Sequence, residues 1–353
     1  MNEVGPQPEA RLDQLTGLRV ILAPGRADRP IDFAPAEHGP PSPGECPFCE
    51  GNEGRTPAET WADRPDGEAD GTGWRVRAVP NLYPVLGEDG APEAQRVRAE
   101  SGLRDPLLES GRQAGQTLFT AAASEGQHEV VIHCPTHERT LASLDSERLA
   151  LAVAGWRQRV RALADQAGYV QLIVNEGPDA GASLEHSHAQ VYAFGFVPPM
   201  VARERERFRT YAENTGGGDL LAEILSEEIR LGERLVAIDD DAALLCPWAS
   251  RSPYELRIVP RAPSARFELD DGVGLGMLDL ALRALRERFG HDPQLNLWVR
   301  TAPRGAEPFH WHLDIAPRLA IKAGLELSTG LDVNILAPER AASELREALG
   351  AGG

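Results

Sequence analysis

The chain has 353 residues, 42% of them hydrophobic, and a formal net charge of −18, enough chain for one large or two medium cores. Acidity of that size excludes nucleic-acid binding through a general positive field, so any phosphate held here must meet local arginines, glycine loops or a metal. No run of about 18 apolar residues exists, which excludes a membrane-spanning helix, and the polar, acidic stretch Met1–Leu15 carries no apolar core of the kind a signal peptide needs, so a cytoplasmic location is expected.

Residues 1–70 are rich in Pro, Gly, Asp and Glu and read as short strands, such as Leu18–Leu22, between long loops. Within them, 37–72 is expected to be a loop organised by Cys46-Pro-Phe-Cys49. A C-x2-C pair grips zinc through two thiolates but supplies only half of a tetrahedron. There is no second C-x2-C, so the remaining ligands should be histidines, with His133, His137, His186 and His188 as candidates. The other cysteines are Cys134 and Cys246, and without an export signal disulfides are not expected. Trp74–Val79 reads as a strand leading into Asn81-Leu-Tyr-Pro, and 87–115 as a mobile segment. Glu129–Cys134 is then a strand, Ser146–Gln166 a helix with apolar residues at helical spacing, and Tyr169–Val174 a strand.

The next segment, Asn175–Gln190, carries the most chemistry. It reads N-x-G-x3-G-x4-H-x-H-x-Q. On a strand, His186, His188 and Gln190 share one face because side chains repeat with period two. Three nitrogen-bearing side chains facing a glycine loop suit a phosphoryl group. A neutral imidazole can attack an α-phosphorus and split one hard step into two. It must first be held in one tautomer, its far N–H tied to an acceptor. Gln190 can hydrogen-bond a phosphoryl oxygen but cannot protonate a leaving group, which favours transfer to a phosphate acceptor over hydrolysis.

Residues 201–237 read as helical and highly charged, and then the first half is echoed. HEVVIHCPTHERTLASL is matched by YELRIVPRAPSARFEL, the helix at 146–166 by GVGLGMLDLALRALRERFG at 272–290, YVQLIVN by PQLNLWVR, and EHSHAQVYA by FHWHLDIAP. Four matched elements in one order argue for a duplicated α+β unit, its halves joined in one largely antiparallel sheet with flanking helices and divided at 200/201. Only the first copy keeps the glutamine and the glycine loop. The second pair, His310 and His312, therefore reads as structural rather than as a metal site.

The motif resembles the active-site signature of the galactose-1-phosphate uridylyltransferase family, a branch of the histidine-triad superfamily. The resemblance extends over most of the chain, through LTGLRVILAPGRADRP, CPFCEGNEGRTPAE, NLYP, HCPTHERTLASL, CPWASRSPYELRIVPR and AGLELSTG. It implies a duplicated histidine-triad-like fold, with the zinc knuckle and active site in 1–200 and a degenerate half in 201–353. It implies structural zinc at Cys46, Cys49, His137 and His186, His188 as the residue that becomes nucleotidylated, and Gln190 supporting the phosphoryl oxygens. Arg26, Arg29, Asn81, Asn175, Gly181 and Ser183 would line the nucleotide. Glu326, with Lys322 nearby, would reach the hexose phosphate, in the family across a homodimer interface. The reaction implied first is UDP-glucose–hexose-1-phosphate uridylyl transfer, with nucleotide sugar and hexose 1-phosphate as partners. An ADP-glucose phosphorylase-like adenylyl transfer to inorganic phosphate is the alternative, and a zinc-stabilised nucleotide-binding protein without turnover the reading from another class.

The sequence departs from the family pattern at several positions. Ser187 stands where proline is usual, a serine shared with ADP-glucose phosphorylases. Glu176 stands where a basic residue is common, Leu325 where an aromatic is common, and Ala182 where a phosphate-contacting residue often lies. A second metal in some members would use Glu204, His310 and His312, but a further histidine is replaced near Arg300.

Overall fold

Alternation along the central strands decides the architecture. In β6 (Tyr169–Glu176) the residues Val170, Leu172 and Val174 are buried while Gln171, Ile173 and Asn175 are less so. The same alternation in β11 (Leu295–Arg300) buries Leu295, Leu297 and Val299. Each strand thus offers one apolar face to a helix and one more polar face to a site. The computed structural model describes residues 9–23, 46–87, 125–306 and 308–351.

Ten strands form one sheet whose ladders are all antiparallel. The first half contributes β3 (Trp61–Asp63), β4 (Val76–Pro80), β5 (Gly126–Ile132), β7 (His188–Phe194) and β6, in that spatial order. The second half continues with β11, β12 (His312–Pro317), β10 (Leu256–Pro260), β9 (Ala242–Leu245) and β8 (Leu235–Ile238). The halves meet where Asn175 pairs with Asn296 and Val174 with Leu297. A small separate sheet joins β1 (Glu9–Leu12), β2 (Arg19–Leu22) and β13 (Asp332–Asn334). The duplicated α+β unit with a largely antiparallel sheet, expected from the repeat, is therefore what forms.

Two equivalent helices cover the apolar face. The first, α1 (Ser146–Ala164), is capped by the Asp145 carboxylate, which accepts the Arg148 N–H. It sends Leu149, Val153, Trp156 and Val160 into the core that also holds Ala189, Val191, Leu297 and Ile315. The charged span 201–237 is not one helix. It divides into α2 (Pro199–Thr215) and α3 (Leu220–Leu231), and its last residues belong to β8. The break is at Gly216-Gly217-Gly218, where Gly216 takes a left-handed conformation (φ 71°) and closes α2. The second covering helix is α4 (Leu275–Phe289), whose Leu278, Ala281 and Leu285 join the same core. The chain ends with α5 (Gly324–Thr329) and α6 (Pro338–Ala351). No helix of the described residues is long and apolar enough to cross a membrane.

The strand expected to carry both histidines starts at His188 rather than at His186. The β5–β7 ladder stops at the Ile132–His188 pair, and the Ser187 N–H is drawn off to the Glu138 carbonyl at 2.7 Å. The loop expected at 37–72 also holds β3 and a 3-10 turn at Glu53–Arg55; its residues 37–45, and 88–115 of the segment expected to be mobile, lie outside the described residues.

Candidate functional site

On β7 the side chains of His188, Gln190 and Tyr192 alternate with those of Ala189 and Val191 packed under the helices. They therefore project from the opposite face. His188 is 5% exposed. Its Nδ1 lies 2.7 Å from the His186 carbonyl oxygen. A carbonyl only accepts, so Nδ1 carries the proton and Nε2 keeps its lone pair. Burial pushes the imidazole pKa below its ordinary value, which keeps the ring neutral and nucleophilic. Phe48 sits edge-on at 5.2 Å between ring centroids.

Gln190 is held by its oxygen. Oε1 accepts the Tyr192 hydroxyl at 2.7 Å and lies 3.0 Å from His128 Nε2. That leaves the amide NH2 as the end available to an anionic oxygen. Asn81, just past β4, places Nδ2 3.0 Å from the same His128 nitrogen, while its Oδ1 accepts the Tyr83 N–H. The His128 ring stacks on Tyr192 at 4.1 Å. His128 and Tyr192 were not singled out from the sequence. The readable signal was positional: His128 pairs with Tyr192, two residues beyond Gln190, on the strand beside the motif.

The glycine loop follows β6. Gly177 has φ 86° and a Cβ there would lie 2.4 Å from the Gln294 side chain, so the position requires glycine. Gly181 has φ 83° with open space around it. The loop is tied to the second half by Asn296, whose amide donates to the Asn175 side-chain oxygen and the Ala180 carbonyl, each at 2.8 Å. Ser183 is exposed beyond it.

Four expected metal ligands converge. Cys49 Sγ is 3.4 Å from His137 Nδ1 and 3.7 Å from His186 Nδ1, and Cys46 Sγ is 3.5 Å from His186 Nδ1. Tetrahedral zinc with ordinary Zn–S and Zn–N bonds separates S from N by about 3.6 Å. The donor set thus fits zinc in type, number and spacing, and it is the metal-competent cluster among the described residues. His186 donates from Nε2 to the Cys134 carbonyl at 2.9 Å, leaving Nδ1 unprotonated for a cation. Burial and the neighbouring Cys46 push the Cys49 thiol up to about 12, a cost that a cation would offset. Of the candidates left open by the sequence, His133 and His188 stand outside this cluster.

The second half lacks the corresponding chemistry. His310 places Nδ1 3.1 Å from Asp219 Oδ1 and Nε2 3.0 Å from the Pro260 carbonyl oxygen. The Arg300 guanidinium pairs with Glu204 at 3.4 Å, and Arg257 pairs with Asp314 at 2.6 Å. The residues do not fit a second metal: the Arg300 guanidinium stands against Glu204, and Glu204, His310 and His312 form no metal-competent cluster among the described residues. Glu326 caps its own short helix by accepting the Ala323 N–H at 2.9 Å, and Lys322 pairs with Asp332. Neither is hydrogen-bonded to the His188 cluster among the described residues. Arg26 and Arg29 lie outside the described residues.

A family model described as galactose-1-phosphate uridyl transferase, N-terminal domain, matches residues 100–198. An ADP-glucose phosphorylase from Arabidopsis thaliana is 32% identical, over 96% of this chain and 93% of the relative. The chain belongs to the galactose-1-phosphate uridylyltransferase family. A Thermotoga maritima member named galactose-1-phosphate uridylyltransferase is 25% identical, over 96% of this chain and 98% of its own length. The crystal structure of the Arabidopsis thaliana ADP-glucose phosphorylase with bound ADP-glucose superposes with a TM-score of 0.77 at 28% identity, covering 97% of this chain and 99% of that one. As a family member, the protein is a nucleotidyltransferase of the kind that acts on nucleotide sugars and sugar phosphates.

Proposed function

We propose that the protein transfers a nucleotidyl group from a nucleotide sugar to a phosphate acceptor through a covalent nucleotidyl-His188. The observation that carries this reading is the His188 tautomer: Nδ1 bound to the His186 carbonyl, Nε2 free. Nε2 attacks the α-phosphorus, an N–P bond forms, and the bond from that phosphorus to the sugar-phosphate oxygen breaks. Hexose 1-phosphate leaves as an anion without needing a proton. The positive charge that develops on the ring is met by the His186 carbonyl through Nδ1–H. The Gln190 NH2 donates to a non-bridging oxygen, held in that orientation by the Tyr192 hydroxyl on its Oε1. In the second half-reaction a phosphate oxygen attacks the same phosphorus and the N–P bond breaks, restoring His188. Asn81, Asn175, Gly181, Ser183, Arg26 and Arg29 are proposed for nucleotide contacts and Glu326 for the hexose phosphate. Zinc at Cys46, Cys49, His137 and His186 would supply folding energy rather than chemistry.

For the nucleotide, ADP-glucose with inorganic phosphate as acceptor is placed first, and UDP-glucose with a hexose 1-phosphate second. Supporting that order are the likeness to the ADP-glucose phosphorylase along almost the whole chain and the serine at 187. The expectation from the family resemblance runs the other way. A matched comparison of kcat/KM for ADP-glucose with phosphate and UDP-glucose with galactose 1-phosphate tests it. Adenylyl transfer at least about tenfold faster supports the order, and faster uridylyl transfer reverses it.

A further inference from the structure

Beneath the nucleophile, on the helix-covered face of the sheet, lies a buried polar chain that the reaction above does not use. Trp156 on α1 donates from Nε1 to His133 Nε2 at 2.9 Å. An indole nitrogen only donates, so His133 Nε2 is unprotonated and Nδ1 carries the hydrogen. Burial keeps that imidazole neutral. His133 Nδ1 lies 2.9 Å from Ser187 Oγ, and the hydroxyl, its lone pair taken, donates onward to Glu176 Oε1 at 3.0 Å. The same carboxylate oxygen accepts the Leu141 N–H at 2.5 Å. Every donor in the chain runs one way, from Trp156 to Glu176, and all four side chains are buried.

Ser187 is the node, and its place in the chain matters more than its chemistry. The His186 carbonyl that fixes the His188 tautomer belongs to the peptide whose nitrogen is that of Ser187. That nitrogen donates to the Glu138 carbonyl at 2.7 Å. Glu176, at the other end of the bond, directly precedes Gly177 of the glycine loop. One hydroxyl therefore links the peptide behind the nucleophile to the loop facing the phosphates.

We infer that Ser187 and Glu176 are positioning residues for nucleotidyl transfer, locking the His186–Ser187 peptide and the glycine loop in the register that aims His188 Nε2 at phosphorus. This inference rests on the nucleotidyl-His188 reading. Small displacements of a nucleophile reduce rate more than affinity.

The test is single-turnover formation of the histidine adduct in zinc-loaded protein, with ADP-glucose and UDP-glucose each titrated to saturation. For Ser187→Ala the saturating rate should fall about tenfold while the half-saturating concentration and zinc content stay within about twofold of wild type. Glu176→Gln, which keeps an acceptor oxygen, should react within about threefold of wild type, and Glu176→Leu should match Ser187→Ala. The double variant Ser187→Ala/Glu176→Leu should be no slower than either single one. If Ser187→Ala does not fold, Glu176→Leu against Glu176→Gln carries the comparison. Adduct formation in Ser187→Ala or Glu176→Leu at the wild-type rate, or a loss lying wholly in the half-saturating concentration, overturns this inference alone. A wild type that forms no adduct overturns the nucleotidyl-transfer reading and this inference with it.

Discussion

Glu176→Gln separates the charge of this buried carboxyl from its hydrogen bonds, and its effect on stability has a definite sign. Glu176 is 3% exposed, and its Oε2 is buried without a partner. Burial is the main cause that pushes its pKa up to about 7; Asp292 adds to it, while the Leu141 N–H and the Ser187 hydroxyl pull the other way. In the unfolded chain a glutamate titrates near 4.5. The folded state therefore binds the proton more tightly. The stability this provides is complete below about pH 4.5 and is lost as pH rises to about 7. The full difference corresponds to about 3 kcal/mol, most of which falls between pH 5 and pH 8. Glutamine does not ionise, so the stability of Glu176→Gln relative to wild type should rise by roughly 2 to 3 kcal/mol over that interval. Any constant cost of placing an amide at the unpartnered Oε2 position shifts both ends equally and leaves the slope intact. The assay is denaturant unfolding of both zinc-loaded proteins at a series of pH values, compared as a difference so that other titrating groups cancel. Parallel curves from pH 5 to pH 8 would refute the claim that Glu176 is held neutral by burial.

Other outcomes follow from the same geometry. Cys46→Ser and His137→Ala should each lower zinc content and thermal stability together, read by metal analysis and a melting curve; full zinc stoichiometry in both would contradict the ligand assignment. Gln190→Ala should slow nucleotidyl transfer roughly 100-fold with folding intact, in keeping with the loss of one preorganised donor, and a steady-state rate near wild type would remove Gln190 from the site. Arg300→Ala should destabilise the fold by about 3 kcal/mol in denaturant unfolding, because it leaves the Glu204 carboxylate buried and unpaired. Its zinc content should not change.

The parts of this molecule that could be read from the sequence were those whose partners lie close along the chain or repeat. The HxHxQ spacing sets three side chains in order, and the two copies of strand, helix, strand, loop and strand fold as matched halves of one sheet. His137 and His186 as zinc ligands could not be derived from spacing, since 88 residues separate His137 from Cys49; the family resemblance chose them among four histidines. The roles of Ser187 and Glu176 were not legible. Both stand out in the sequence only as departures, because what explains them is a hydrogen-bonded chain: Ser187 joins Glu176 to His133, 54 residues earlier, and His133 in turn accepts from Trp156. The start of β7 was misplaced by two residues for a related reason: the Ser187 N–H leaves the ladder for a carbonyl in the zinc-ligand segment. His128 escaped notice because a lone histidine in an apolar strand carries no motif, although pairing opposite Tyr192 brings it to Gln190.

The central claim is that His188 forms the covalent bond to phosphorus. Intact-protein mass spectrometry after brief exposure to ADP-glucose, and separately to UDP-glucose, tests it most directly. One adenylyl mass should appear with ADP-glucose, map to His188, disappear on adding inorganic phosphate, and be absent from folded, zinc-loaded His188→Ala. An adduct that persists in His188→Ala, or wild-type turnover that never passes through a nucleotidylated protein, would contradict the account.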